Sequence, residues 1–377
     1  MSTTLPRFLE KEIKNNLKEN KVIGIFGARR AGKSVLLEKI AGDIKEPKLI
    51  VNGENLDVAE ILTQNRLSIL KNFLAGYKYL FIDEAHKIPN IGTSLKLIVD
   101  NIKGMRILIT GSAPLDLKQK IGEPLTGRSF YYHLYPFSEM ELKEDYMSAR
   151  AGLINKLIYG SYPEVYLEKK ISEKKKLLES IKNGYLLKDI LEIDNQKDSL
   201  FVLNLLRLVA FQIGKDISYN ELARQLGVNS KTVIRYLNIL EKIYILFSLR
   251  GYSRNLRKEY SKTPRYYFRD NGIRNVLINN FNSPESRNDI GMLWENYVIS
   301  ERLKRNDYKL VYANCYFWRT YDRKEIDLIE EKGGKLYAFE IKWKQDKVKK
   351  PEEFLKTYRN SKFILINKDN YLNFITK

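Results

Sequence analysis

Short apolar runs alternate with helical patterns through the first 136 residues. Lys21-Val-Ile-Gly-Ile-Phe26, Lys48-Leu-Ile-Val51, Tyr79-Leu-Phe-Ile-Asp-Glu84 and Arg106-Ile-Leu-Ile-Thr110 read as strands. Amphipathic stretches such as Val35-Leu-Leu-Glu-Lys-Ile40 separate them. Alternation of this kind predicts an α/β fold with a parallel sheet covered on both faces.

Over residues 137–205 the period becomes helical, in Glu139-Met-Glu-Leu-Lys143, Leu153-Ile-Asn-Lys-Leu-Ile158 and Lys174-Lys-Lys-Leu-Leu-Glu179. The Gly/Pro turn Tyr159-Gly-Ser-Tyr-Pro-Glu164 interrupts it and reads as structural. Within residues 206–270, Ile217 to Leu240 divides into two short helical patterns around Gly227. Ser218 is placed to cap the first, over Leu222, Ala223 and Leu226. Asn229 or Ser230 is placed to cap the second, with Val233, Ile234, Leu237 and Leu240 inward. That is helix-turn-helix spacing, and Tyr244 to Arg250 with Tyr266-Tyr-Phe268 would make the strands of a wing. Residues 271–377 end in two strand patterns flanking Gly333-Gly334.

The chemistry begins at Gly27-Ala28-Arg29-Arg30-Ala31-Gly32-Lys33-Ser34, which fills the pattern G-x-x-x-x-G-K-[ST] directly after a strand and before a helix. Glycines let such a loop curl so that backbone N–H groups face a phosphate, and the helix adds its positive end. Lys33 would reach the β- and γ-phosphates, and Ser34 would ligate Mg²⁺. Asp83 closes an apolar run and is the expected Mg²⁺ partner, while Glu84 can orient or deprotonate an attacking water. Thr110 and Ser112 stand where a γ-phosphate sensor would sit. The letters Asp83-Glu-Ala-His86 suggest a helicase, but no second motor-like domain follows, and His86 reads as a residue opening a helix. The order of strands and helices resembles an AAA+ ATPase, with residues 1–136 as its core and 137–205 as its helical lid. By that resemblance Arg128, in Leu125-Thr-Gly-Arg128, is a candidate trans-acting arginine completing the site of a neighbouring copy.

Composition narrows the partners. With one cysteine, Cys315, and two histidines, His86 and His133, an intramolecular disulfide is excluded and the usual zinc sites are not buildable, so any metal must sit on carboxylates. The absence of an 18-residue apolar run or a signal-like start points to a cytoplasmic protein without a membrane partner. A net charge of +20 favours polyanions. Basic residues outnumber acidic ones from Asp216 to Lys262, including Arg254, Arg257, Lys258 and Lys262, and Lys231 and Arg235 would point outward from the second helix as a DNA-reading helix requires. Winged helices also serve as plain protein-contact modules, so DNA is one of two partner classes.

If Gly333-Gly334 is a two-residue hairpin turn, Asp327 lies opposite Glu340, Glu325 opposite Lys342, Ile326 opposite Ile341 and Leu328 opposite Phe339. The alternation predicts one buried and one polar side. Two facing acids repel unless something positive joins them, and a divalent cation is the obvious candidate. The arrangement resembles the PD-(D/E)xK nuclease core, with Asp327 as first acid and Glu340-Ile341-Lys342 as E-x-K. The resemblance implies Mg²⁺ on Asp327 and Glu340, Lys342 polarising water or steadying the phosphate, and Glu295 as the extra helical acid.

Taken in order, the P-loop, the Leu125 to Arg128 segment, Gly160 to Glu164, the winged helix, Pro264-Arg-Tyr-Tyr-Phe-Arg-Asp270 and the carboxylate hairpin resemble one family over nearly the whole chain. It is the archaeal and bacterial family of AAA-type ATPases with a C-terminal nuclease-like domain of unknown function. Where the family pattern has Gly-Gly-Tyr-Pro, this chain has Ser161 at the second position. The resemblance implies ATP binding. A Mg²⁺-dependent ATPase regulating DNA or partner engagement, an ATP-controlled metal-dependent DNA nuclease and a non-enzymatic nucleotide-gated scaffold are the functions it leaves open.

Overall fold

The computed structural model describes residues 5–112, 125–186, 199–253, 263–320, 322, 324–344 and 347–377. It divides into two compact units, Met1–Phe137 and Ser138–Lys377.

The first unit is built on five parallel strands, β1 (Lys21–Phe26), β2 (Lys48–Asn52), β3 (Tyr79–Asp83), β4 (Arg106–Gly111) and β5 (Ser129–His133). Their order across the sheet is β2-β3-β4-β1-β5, and every pairing is parallel. Val22, Ile23, Ile25 and Phe26 of β1 are all buried, as a strand covered on both faces demands. Because β4 lies between β1 and β3, the acids closing β3 sit one strand further from the loop than direct adjacency would place them.

The second unit carries helices and a mixed sheet ordered β11-β10-β9-β8-β6-β7. Its strands are β6 (Leu246–Gly251), β7 (Arg265–Phe268), β8 (Asn314–Arg319), β9 (Glu325–Lys332), β10 (Lys335–Ile341) and β11 (Ser361–Ile366). The antiparallel β6-β7 pair expected as a wing is joined to this sheet: β6 runs parallel to β8 through Arg250↔Tyr316 and Gly251↔Phe317. The segment boundary expected at residue 270 is therefore crossed by one continuous sheet.

Before that pair come the helices Ser199–Phe211, Tyr219–Gln225 and Ser230–Lys242. Ser218 caps the second helix through Glu221 N–H, and Asn229 caps the third through Thr232 N–H at 2.8 Å. Gly227 takes the left-handed φ of 65° that turns the chain between them. Val233, Tyr236, Leu237 and Leu240 face inward, but Ile234, expected among them, is 37% exposed because it lies off that stripe. Arg254, Arg257, Lys258 and Lys262 lie outside the described residues.

The Gly333-Gly334 turn sets the hairpin register, with Lys335↔Lys332 through Phe339↔Leu328. The expected polar side is not a solvent face: Ile326, Asp327, Leu328, Ile329 and Glu330 of β9 are all buried. Among the described residues no helix is long and apolar enough to cross a membrane.

Candidate functional site

At the C-terminal end of β1 the chain passes through Gly27 to the helix Lys33–Gly42. A Cβ on Gly27 would lie 2.1 Å from the Leu134 carbonyl oxygen, so no larger residue fits. Gly32, the N-cap, has φ 95° and no side-chain cap, which leaves the helix start to its backbone N–H groups. Lys33 is 4% exposed, and its ammonium donates to the carbonyls of Gly27 and Ala28 at 3.1 and 3.0 Å. Ala28 and Ala31 are buried, while Arg29, Arg30 and Ser34 are partly exposed. A glycine cradle around a buried ammonium fits a nucleotide phosphate.

Arg7 lies outside every motif of the sequence. It is nearly buried, donates to the Ala31 carbonyl at 2.6 Å and to that of Tyr135, and stacks over Phe137 at 5.0 Å. It thus braces the loop from behind, a contact that no local pattern announces.

The acids of β3 are held from β4. The buried Thr110 hydroxyl donates to Asp83 Oδ1 and accepts the Glu84 N–H at 3.1 Å. Glu84 takes a left-handed φ of 51°, and Gly53 is packed so closely beneath it that a Cβ there would lie 2.4 Å from the Glu84 carbonyl oxygen. Burial pushes the Glu84 carboxyl up from its ordinary range, against the pull of Lys33. His86, in the short 3-10 turn Ala85–Lys87, places Nδ1 3.1 Å from Glu84 Oε2 and Nε2 3.2 Å from Ser112 Oγ.

Arg128 stands apart. It precedes β5, its carbonyl accepts the Val22 N–H at 2.9 Å, and it therefore lies at the opposite end of β1 from the loop. Its guanidinium pairs with Asp100 at 2.8 Å.

In the second unit, Asp327, Glu340 and Lys342 do come together. The ladder ends at Phe339↔Leu328, and beyond it Asp327 Oδ2 accepts the Ile341 N–H at 2.8 Å. Lys342 Nζ lies 2.6 Å from Glu340 Oε1 and 3.6 Å from Asp327 Oδ2. Within the chain, the positive group beside both acids is Lys342. Glu325, expected opposite Lys342, instead pairs with Arg265 at 2.6 Å. Glu295, partly buried on the helix Ile290–Tyr308, accepts from Tyr267 at 2.8 Å and is pushed up to about 8, first by burial and then by Asp327. Burial likewise raises Asp327 and Glu340. Each acid is engaged by the protein's own donors, and among the described residues no group of three or more His, Cys, Asp or Glu is gathered to hold a metal ion.

Tyr267 and Arg265 are the members that residue patterns did not single out. Arg265 is buried, contacts Asp216 at 3.0 Å as well as Glu325, and crosses the Phe317 ring at 4.4 Å. Both lie in Pro264 to Asp270, within which Tyr266 to Phe268 read as a strand and no residue as a site member.

Residues 19–143 match a family model described as an AAA domain. Residues 150–284 and 290–374 match two domains of unknown function, DUF8612 and DUF4143. The first unit thus has an AAA-type P-loop fold, which is a fold for binding nucleotides. Over 325 residues the chain is 28% identical to an uncharacterized protein of Mycobacterium tuberculosis, covering 85% of this chain and 70% of the relative. It is 24% identical over 321 residues to an uncharacterized protein of Methanocaldococcus jannaschii, covering 79% and 70%. The Walker-type ATPase of Pyrococcus abyssi superposes with a TM-score of 0.48 at 15% identity, covering 72% of this chain and 94% of that one.

Proposed function

We propose that the protein is a Mg²⁺-dependent ATPase whose nucleotide state regulates how its second unit engages DNA or a protein partner. The observation that carries the reading is the meeting of a buried Lys33 under a glycine loop with Asp83 and Glu84, both held by Thr110. Lys33 and the loop N–H groups would bind the phosphates, and Glu84 would orient the attacking water. Ser34 and Asp83 are the groups that would hold Mg²⁺, which neutralises phosphate charge when bound. Arg128 can enter only as a group lent to a neighbouring copy, because in its own chain it lies at the far end of β1.

Lys33→Ala should abolish ATP turnover, and Glu84→Gln should trap bound ATP. Unchanged hydrolysis in both purified variants would sink the reading. For the regulatory part, DNA affinity should differ between ATP- and ADP-loaded chain; equal affinities, or none, would turn the search to a protein partner.

Clustering of Glu295, Asp327, Glu340 and Lys342 favours a second reading, an ATP-controlled nuclease. DNA cutting lost on Asp327→Ala or Lys342→Ala would support it, and cutting that survives both would mark a contaminant. Salt-dependent DNA binding without cleavage would favour a nucleotide-gated scaffold.

A further inference from the structure

His86 lies between Glu84 and Ser112, and hydrolysis as outlined has no use for its two contacts. The His86 side chain is 8% exposed and that of Glu84 21%. Ser112, just past the end of β4, is buried. The Nδ1 contact to Glu84 at 3.1 Å is an ion-pair approach and not an aligned hydrogen bond, whereas Nε2 and Ser112 Oγ are within bonding distance at 3.2 Å. Thr110, two residues earlier, bonds Asp83 and the Glu84 N–H, so the end of β4 touches both acids by separate routes.

We propose that His86 is a positioning residue that makes the orientation of Glu84 depend on whether Ser112 contacts a γ-phosphate. The inference rests on the ATPase reading. A neutral imidazole has one donor and one acceptor. With Nδ1–H toward the carboxylate, Nε2 must accept the Ser112 hydroxyl proton. A phosphate oxygen reaching the end of β4 competes for that proton and wins, because charge-assisted hydrogen bonds are roughly twice as strong as neutral ones. The hydroxyl then turns to the phosphate, the ring is released from β4, and its Nδ1–H can align on the Glu84 carboxylate and hold it toward water. Only hydrogen bonds are exchanged; no proton leaves any group.

Because the chain has only His86 and His133, ¹⁵N-histidine NMR on the full protein resolves the ring directly. The His86 nitrogens should shift with Mg²⁺ and a non-hydrolysable ATP analogue but not with ADP, and the shift should vanish in Ser112→Ala although the analogue still binds. In turnover, His86→Ala should lower kcat by about tenfold with KM unchanged, His86→Gln should recover part of it, and adding Ser112→Ala should cost nothing further. Identical His86 signals with ADP and analogue, a shift that survives Ser112→Ala, or losses that multiply in the double variant would overturn the proposal. Nucleotide binding without hydrolysis would overturn the ATPase reading alone, whereas a chain that binds no nucleotide would overturn both.

Discussion

Asp270 accepts the backbone N–H of Ser161 at 2.7 Å, joining two segments 109 residues apart. Its other oxygen caps the helix Asn271–Leu277 through the N–H groups of Gly272 and Ile273 at 2.9 and 3.2 Å. The turn at Gly160 and the Pro264 to Asp270 motif are thus two sides of one joint. Asn275 adds to it by donating to the carbonyls of Leu157 and Ile158.

That joint leaves no space at Gly160. Its φ is 74°, and a Cβ there would lie 2.0 Å from Asp270 Oδ1. Gly160→Ala should therefore destabilise the second unit by about 2 kcal/mol or more, through left-handed strain and overpacking together. Gly291, inside a helix with nothing within 4 Å, is the contrast: Gly291→Ala should stabilise by about 0.5 to 1 kcal/mol. Urea midpoints of the two variants check both signs.

Lys156 is 2% exposed and pairs with buried Glu139 at 2.7 Å and with Glu144 at 2.8 Å. Lys156→Met strands the Glu139 charge and should cost about 3 to 5 kcal/mol, with part regained when Glu139→Gln is added. Burial already pushes Glu139 up, so its protonation should make the single variant less damaged in acid than at neutral pH. Denaturant unfolding at two pH values tests this.

Glu295 gives a pH dependence with a definite sign. Its folded value of about 8 lies above the unfolded value of about 4.3, so the folded state keeps a proton that the unfolded chain releases. The resulting stability is complete in acid, below the unfolded value, and is lost as pH rises toward 8. Urea midpoints should fall over that window in the wild type, and Glu295→Gln should flatten the fall.

Lys231 and Arg235 lie exposed on one face of the helix Ser230–Lys242. If that helix meets DNA at phosphates, Lys231→Ala and Arg235→Ala should each weaken binding across sequences and reduce the salt slope by about 1. Affinity that is unchanged in both variants would remove this face from DNA contact.

Where local rules dominate, the chain was legible. The strands before and after the P-loop follow from apolar runs, the caps at Ser218 and Asn229 from residue type, and the hairpin register from a two-glycine turn that admits few alternatives. What lay beyond reach was the contact between distant segments. Arg7 under the loop, Tyr267 on Glu295 and Arg265 between Asp216 and Glu325 join parts of the chain that no periodicity relates. The ladder stops short of Asp327 and Glu340 because the Asp327 carboxylate takes the Ile341 N–H, and turn geometry says nothing about a side chain displacing a carbonyl.

The link between β6 and β8 bears on how the second unit can be divided. The two matched domains of unknown function meet between residues 284 and 290, with β6 and β7 on one side and β8 to β11 on the other. Separating them there would take β6 from the edge of β8 and leave each fragment with an open row of backbone donors and acceptors, the usual template for edge-to-edge aggregation. Two names given to neighbouring stretches of sequence thus describe strands of one continuous sheet.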